Sequence, residues 1–350
     1  MTQASRSTDR LISAATPVLP SAADLLRAVF VGRGLTLPTD LLSDVGAGAS
    51  TVWKINAAQT LVVSNTSREA TIDDAFECGR IAATAALTAV HATAAKPLFA
   101  RLTCECPPAA SDAARQALVE GVAVAMSDAG AVLADAQLVD APVLRFDVLV
   151  AGIVRPDRIR GVAGAQSGDA LILAHPLGAG IYAAAHGRQK LSDDDRGALI
   201  AHATRSNGVG VVLGTIKNVH AVACVGPTGL IAAALALARA AGLHATLATT
   251  KVPSLPRALM LAKSGCVAPD SSRNWNRDGA HVNLAENVMP EMRALLTDPA
   301  TSGSLLIACK PESVERVLKL CRAEAEGDAA VIGSLEAPLA DRPWTVTITG

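Results

Sequence analysis

The segment TGLIAAALALARAAGL, residues 228–243, is apolar almost all round when wound as a helix, and a helix of that kind has to be enclosed. Arg239 interrupts it and it is too short to cross a bilayer, so the chain itself must supply the cover. With 350 residues the chain is long enough for two domains and a sizeable core. Half of the residues are hydrophobic but only 2% are aromatic, so alanine, valine and leucine must fill that core.

Around this helix, strands and helices alternate. Residues 60–65 (TLVVSN), 147–154 (DVLVAGIV), 169–173 (DALIL) and 219–224 (VHAVAC) read as strands. Residues 73–95 read as a long helix with two acids at its positive N-terminal end. A second helix follows Ser111 as cap, with Leu118, Val122 and Ala125 on one face and Gly130 as its stop. Residues from 193 (DDDRGALIAHATRSN) are helical, and the tail makes a strand–helix–strand unit in which Pro311 opens the helix. The fold class is α/β (α+β) in two parts. The glycine- and charge-rich segment 155–168 marks the boundary: a loose Ser/Thr/Pro-rich stretch 1–22, a first domain 23–160 and a second 161–350.

Several function classes are excluded. With 31 basic and 32 acidic residues the formal charge is −1 and no basic face is visible, which speaks against nucleic acid. The first twenty residues hold no apolar run of signal-peptide length, and seven scattered cysteines without a CxxC pair suit a reducing compartment. The expectation is a soluble, cytoplasmic protein with no membrane partner.

GIVRPDRI, GDALILAHPLGAGI, TGLIAAALALARAAGLHATL, VPSLPRALMLAKSGCV, SSRNWNRDG and LLTDPATSGSLLIA follow one another in the order seen in selenophosphate synthetase (selenide, water dikinase). Upstream, GRIAATAALTAVHATAAKPLFA is similar to a helix and strand of the same family, so the resemblance runs from about Val45 to the C-terminus. The wider group includes aminoimidazole ribonucleotide synthetase and thiamine-monophosphate kinase. The resemblance implies a homodimer paired through the N-terminal sheet, a C-terminal α+β sandwich, and ATP with magnesium used to phosphorylate selenide or another small acceptor.

Phosphoryl transfer from ATP is mainly positioning and charge neutralisation, and magnesium asks for carboxylate oxygens. The resemblance places the family's acidic positions at Ala49 (beside Gly48), Thr66, Ala89 and Cys224. None is a carboxylate, and a thiol is a soft ligand ill-suited to magnesium. The family's N-terminal segment with a nucleophilic cysteine and a lysine has no counterpart, since the first cysteine is Cys78 and the first lysine Lys54. Asp135, Ala136, Gln137 and Leu138 stand where the family has a Gly-Gly-His-Ser turn. Shape-giving residues such as Gly79, Gly152, Pro176, Gly178, Gly180, Pro253, Pro256 and Gly265 are kept.

The resemblance leaves Asn207, Asp298, Thr301, Ser302 and Gly303 as candidates for contact with a cofactor, with Ser304 in place of a second glycine. The plainer reading of Asp298 is a turn fixed by Asp-Pro, and that of Asn207 a polar helix end before Gly208. Cys104 and Cys106 alternate on a strand, so their thiols point to one side and could meet a metal or each other; two packed core residues are the plainer reading. The histidines show no zinc-binding spacing. These readings favour a degenerate, dimeric scaffold or regulator, pairing with itself or with an active homologue, with no cofactor. The alternative is an active kinase that uses ATP and magnesium through displaced acids (Asp44, Glu69, Asp73, Asp74, Asp135, Asp140) with Lys96 or Arg80.

Overall fold

The computed structural model describes residues 33, 38–42, 50–300, 302–325, 329–338 and 345–350. Thr39–Gly350 forms one unit of chain contacts, built on two sheets.

The first sheet contains β1 (Thr51–Lys54), β2 (Thr60–Glu69), β3 (Lys96–Cys106), β4 (Val132–Asp140) and β5 (Arg145–Val154), in the order β1-β2-β5-β3-β4. Only β3 and β4 run parallel, which requires a crossover, and helix α2 (Asp112–Asp128) supplies it. Helix α1 (Ala75–Ala92) joins β2 to β3 and starts on Asp74, whose carboxylate accepts the Glu77 N–H at 2.9 Å. Ser111 caps α2 through the Ala114 N–H, as its sequence predicts. The two helices cross with backbones in contact: a Cβ on Gly79 would lie 2.1 Å from the Leu118 carbonyl oxygen, and one on Gly121 2.0 Å from that of Phe76. This permits a helix as alanine-rich as α1 to be buried from Ile81 to Ala92 with so little side-chain bulk.

The sheet's helix-covered side takes Val62, Ala100, Leu102, Phe146, Val148 and Val150. Elsewhere on this sheet Trp53, Leu98, Phe99, Val132, Leu138 and Val139 stay exposed. Residues 135–138, expected at a turn position, lie within strand β4, paired in parallel with Arg101–Cys104. The correction has a simple cause: without the two glycines, Ala-Gln-Leu-Val follows the pleat.

The second sheet holds β6 (Ala170–Leu173), β7 (Val219–Val225), β8 (His244–Ala248), β9 (Val282–Leu284), β10 (Ser304–Cys309), β11 (Ala330–Glu336) and β12 (Thr345–Thr349), in the order β7-β10-β6-β11-β8-β12-β9. Its helices are α3 (Ala179–His186), α4 (Asp193–Ala203), α5 (Val209–Leu213), α6 (Gly229–Ala241), α7 (Ala258–Lys263), α8 (Pro269–Asp278), α9 (Pro290–Leu296) and α10 (Val314–Ala325). Helix α6 is the enclosed helix of the sequence, with Leu230, Ile231, Ala234, Leu237 and Ala238 buried and Gly242 closing it in a left-handed conformation. Every residue of β10 is buried, because α6 covers one side of the sheet while Val317 and Cys321 of α10 join the cluster on the other. A strand covered on both faces reads as a continuous apolar run, which SLLIAC does. Among the described residues no helix is long and apolar enough to cross a membrane.

Candidate functional site

Helix α1 carries the site's floor, and the turn between α9 and β10 reaches it. Thr88 donates to the Ser302 carbonyl at 2.7 Å, and Asn207 donates to the Thr88 hydroxyl at 3.0 Å and to the Gly303 carbonyl at 3.4 Å. Ser302 donates to the carbonyl of Ala203, at the end of α4. Gly303 has φ +75°, and a Cβ there would lie 2.5 Å from the Val225 carbonyl oxygen. Asn207 lies beyond the end of α4 rather than on it, so the helix-end reading gives way to a buried link between α1 and the turn. Thr301 lies outside the described residues.

Asp298 is buried and accepts the Gly180 N–H at 2.8 Å, at the start of α3. That N-terminus favours the anion, but burial dominates and pushes the carboxyl up to about 7. Asp298 thus joins α3 to the turn, and Ser304 extends the same seam by accepting the His175 N–H at 2.8 Å. The candidate cofactor contacts that are described spend their polar atoms chiefly on the protein itself.

Ala49 lies outside the described residues. The remaining positions where carboxylates were expected are Thr66, half-buried on the helix side of β2; Ala89, buried on α1; and Cys224, half-buried on β7. Burial pushes the Cys224 thiol up to about 11, with Arg68 acting against the shift, so it remains a neutral thiol. Sequence reasoning missed Arg68. It follows Thr66 by two residues, hence on the same face of β2, and its guanidinium interacts with Cys224 and Asp270 while burial lowers its pKa. Its Nε has no protein partner. A basic residue at an inward strand position was the available signal.

Magnesium does not fit this arrangement. A methyl, a hydroxyl and a neutral thiol offer no hard anionic ligand, and the Arg68 guanidinium, on the same face of β2 as Thr66, repels a dication. Asp270, which interacts with Arg68, pairs with Arg273 at 3.0 Å, and the displaced acids named from the sequence are engaged elsewhere. Glu69 pairs with Arg145 at 2.8 Å, Asp135 with Arg101 at 2.9 Å, Asp140 with Arg115 at 3.0 Å and Asp73 with His186 at 3.3 Å, while Asp74 caps α1. Asp44 is outside the described residues, Lys96 is exposed, and Arg80 pairs with Glu77 at 3.0 Å. Among the described residues no three His, Cys, Asp or Glu side chains group so as to hold a metal ion. Cys104 and Cys106 are fully buried with sulfurs 3.2 Å apart, so the alternation does bring the thiols together; burial raises the Cys104 pKa first, and the neighbouring thiol adds to it.

Residues 166–340 match the family described as AIR synthase related protein, C-terminal domain. The selenide, water dikinase of Paraburkholderia xenovorans (strain LB400) is 36% identical over 299 residues, spanning 85% of this chain and 84% of that protein. The chain belongs to the selenide, water dikinase family. The family's enzyme from Pseudomonas straminea is likewise 36% identical over 308 residues, with 86% of each chain covered. Solved structures share the fold of this selenide, water dikinase relative. Thiamine-monophosphate kinase from Stenotrophomonas maltophilia K279a has a TM-score of 0.65 at 18% identity, covering 96% of this chain and 97% of that one. Hydrogenase maturation protein HypE in complex with ATP has a TM-score of 0.62 at 18% identity, covering 83% and 82%.

Proposed function

We propose that this chain is a catalytically degenerate member of the selenide, water dikinase family, acting as a dimeric scaffold or regulator in selenium metabolism. Its two functional domains are residues 23–160 and 161–350. The observation that carries the reading is Arg68: two residues from Thr66 on the same face of β2, it puts a cation beside a position where a metal-dependent kinase needs an anion. The seam from Thr88 through Asn207 to Ser302 and Gly303 supports it, because a turn tied to α1 by its own polar groups serves folding. All seven cysteines are free, which accords with a reducing cytoplasm.

A phosphate-release assay with ATP, magnesium and a panel that includes selenide tests this reading. The expected result is release at the level of a no-protein control with every acceptor. Acceptor-dependent release would favour the second reading, an active kinase with a remodelled site, for which the relatives' name and the ATP-bound HypE fold speak.

The exposed Phe99, Val132 and Val139 on the open face of the first sheet support self-association through that sheet. Val139→Asp would place a charge on that open face. Light scattering coupled to size exclusion is expected to show a dimer for the parent chain and a monomer for the variant; a parent chain that is already monomeric removes the dimer from this reading.

A further inference from the structure

Three helix C-termini meet around one small cavity of about 110 Å³. It is bounded by His91 near the end of α1, by Asp128 at the end of α2, and by Thr204 and Asn207 just beyond the end of α4. Each helix end carries roughly half a negative charge, so the three together make the space electronegative. Helix α2 reinforces this by closing on an acid, with no basic residue in its last turn.

The lining is also rich in hydrogen-bond acceptors. Thr84 and Thr204 already donate their hydroxyl protons, to the carbonyls of Arg80 at 2.9 Å and Ile200 at 2.8 Å, which leaves lone pairs. The Asn207 amide hydrogens are committed to Thr88 and Gly303, while its Oδ1 meets no protein donor although the residue is 0% exposed. His91 Nδ1 is likewise without a protein partner, in a residue 3% exposed. Burial keeps that imidazole neutral, with its pKa lowered to about 4, so it can accept. Arg80 also lines the space, but Glu77 neutralises it at 3.0 Å. Buried acceptors left unmatched are costly, and an occupant with several N–H donors would match them.

We propose that this cavity binds a small guanidinium-class cation, whose N–H groups reach Asn207, His91, Thr84 and the Asp128 carboxylate while Leu87 packs against its face. A flat cation with divergent donors suits acceptors that arrive from three helices better than a spherical ion does. Neither Thr66 nor Cys224 lines the cavity, and the proposal does not depend on whether the chain is a kinase.

Calorimetric titration of the full chain with millimolar guanidinium chloride, far below the molar range in which it unfolds proteins, tests the proposal. Sodium and potassium chloride at equal concentration serve as controls. Saturable binding is expected with guanidinium alone, roughly tenfold weaker in Asp128→Asn, the loss typical of one charge-assisted hydrogen bond. Asp128 is exposed, so that variant keeps its fold, which circular dichroism verifies. His91→Phe, which removes an acceptor and adds bulk, is expected to abolish binding. A non-saturating response, equal binding by Asp128→Asn, or the same heat from potassium chloride would each overturn the assignment.

Discussion

Lowering the pH from 7 to 4 is expected to destabilise this chain by a net of about 3 kcal/mol, through two histidines that fold neutral. His91 and His202 are both buried, and desolvation lowers their pKa values to about 4 and about 3; for His202 the charges of His175 and Arg205 add to the effect. Their folded pKa values lie below the ordinary imidazole value of 6.5. Between pH 6.5 and their folded pKa values the unfolded chain therefore binds more protons, and stability falls as pH falls. Each contributes on the order of 3 kcal/mol over this range.

Asp298 acts in the opposite direction. Its folded pKa of about 7 stands above the ordinary 3.8, so the folded state holds the extra proton and stability from this group grows as pH falls from 7 towards 4. It returns about 3 kcal/mol of what the histidines lose. Urea denaturation at pH 7 and pH 4 measures the net. His202→Phe is expected to abolish most of the acid sensitivity, and Asp298→Asn to increase it. A parent chain equally stable at both pH values, with both variants unchanged in slope, would contradict the assignment of these groups.

Gly303→Ala is expected to cost about 3 kcal/mol or more, since it combines a left-handed backbone with a collision against main chain. The new Cβ would lie 2.5 Å from the Val225 carbonyl oxygen, and Val225 cannot retreat because it pairs with Ser304 in the ladder between β7 and β10. Gly130→Ala provides the comparison, with a similar φ of +70° and nothing within 4 Å of the added atom. Its cost is expected near 1 kcal/mol, that of the backbone conformation alone. Denaturant midpoints of the two variants separate the collision from the conformation. Equal losses would mean that the turn is not packed against β7 as described.

The enclosed helix α6 and the Ser111 cap were legible in the sequence, because periodicity and capping are local. Strands β1, β9 and β12 were not, being three to five residues long and held by partners distant in sequence. Strand β4 was not legible either, because its residues could be set only against a glycine turn of the family that they no longer contain. At the site, the expectation that Thr66, Ala89 and Cys224 stand at the family's acidic positions rests on the resemblance. The seam that joins Thr88 to Ser302 could not be read from the sequence, since it spans 214 positions, nor could Arg68, whose neighbours Cys224 and Asp270 come from the other half of the chain.

The central claim is that a guanidinium and neutral side chains stand where a magnesium-bound triphosphate would need acids. Isothermal titration calorimetry with ATP, with and without magnesium, tests it most directly. No magnesium-dependent binding is expected at any concentration up to the millimolar range. Micromolar affinity that disappears when magnesium is chelated would contradict the account.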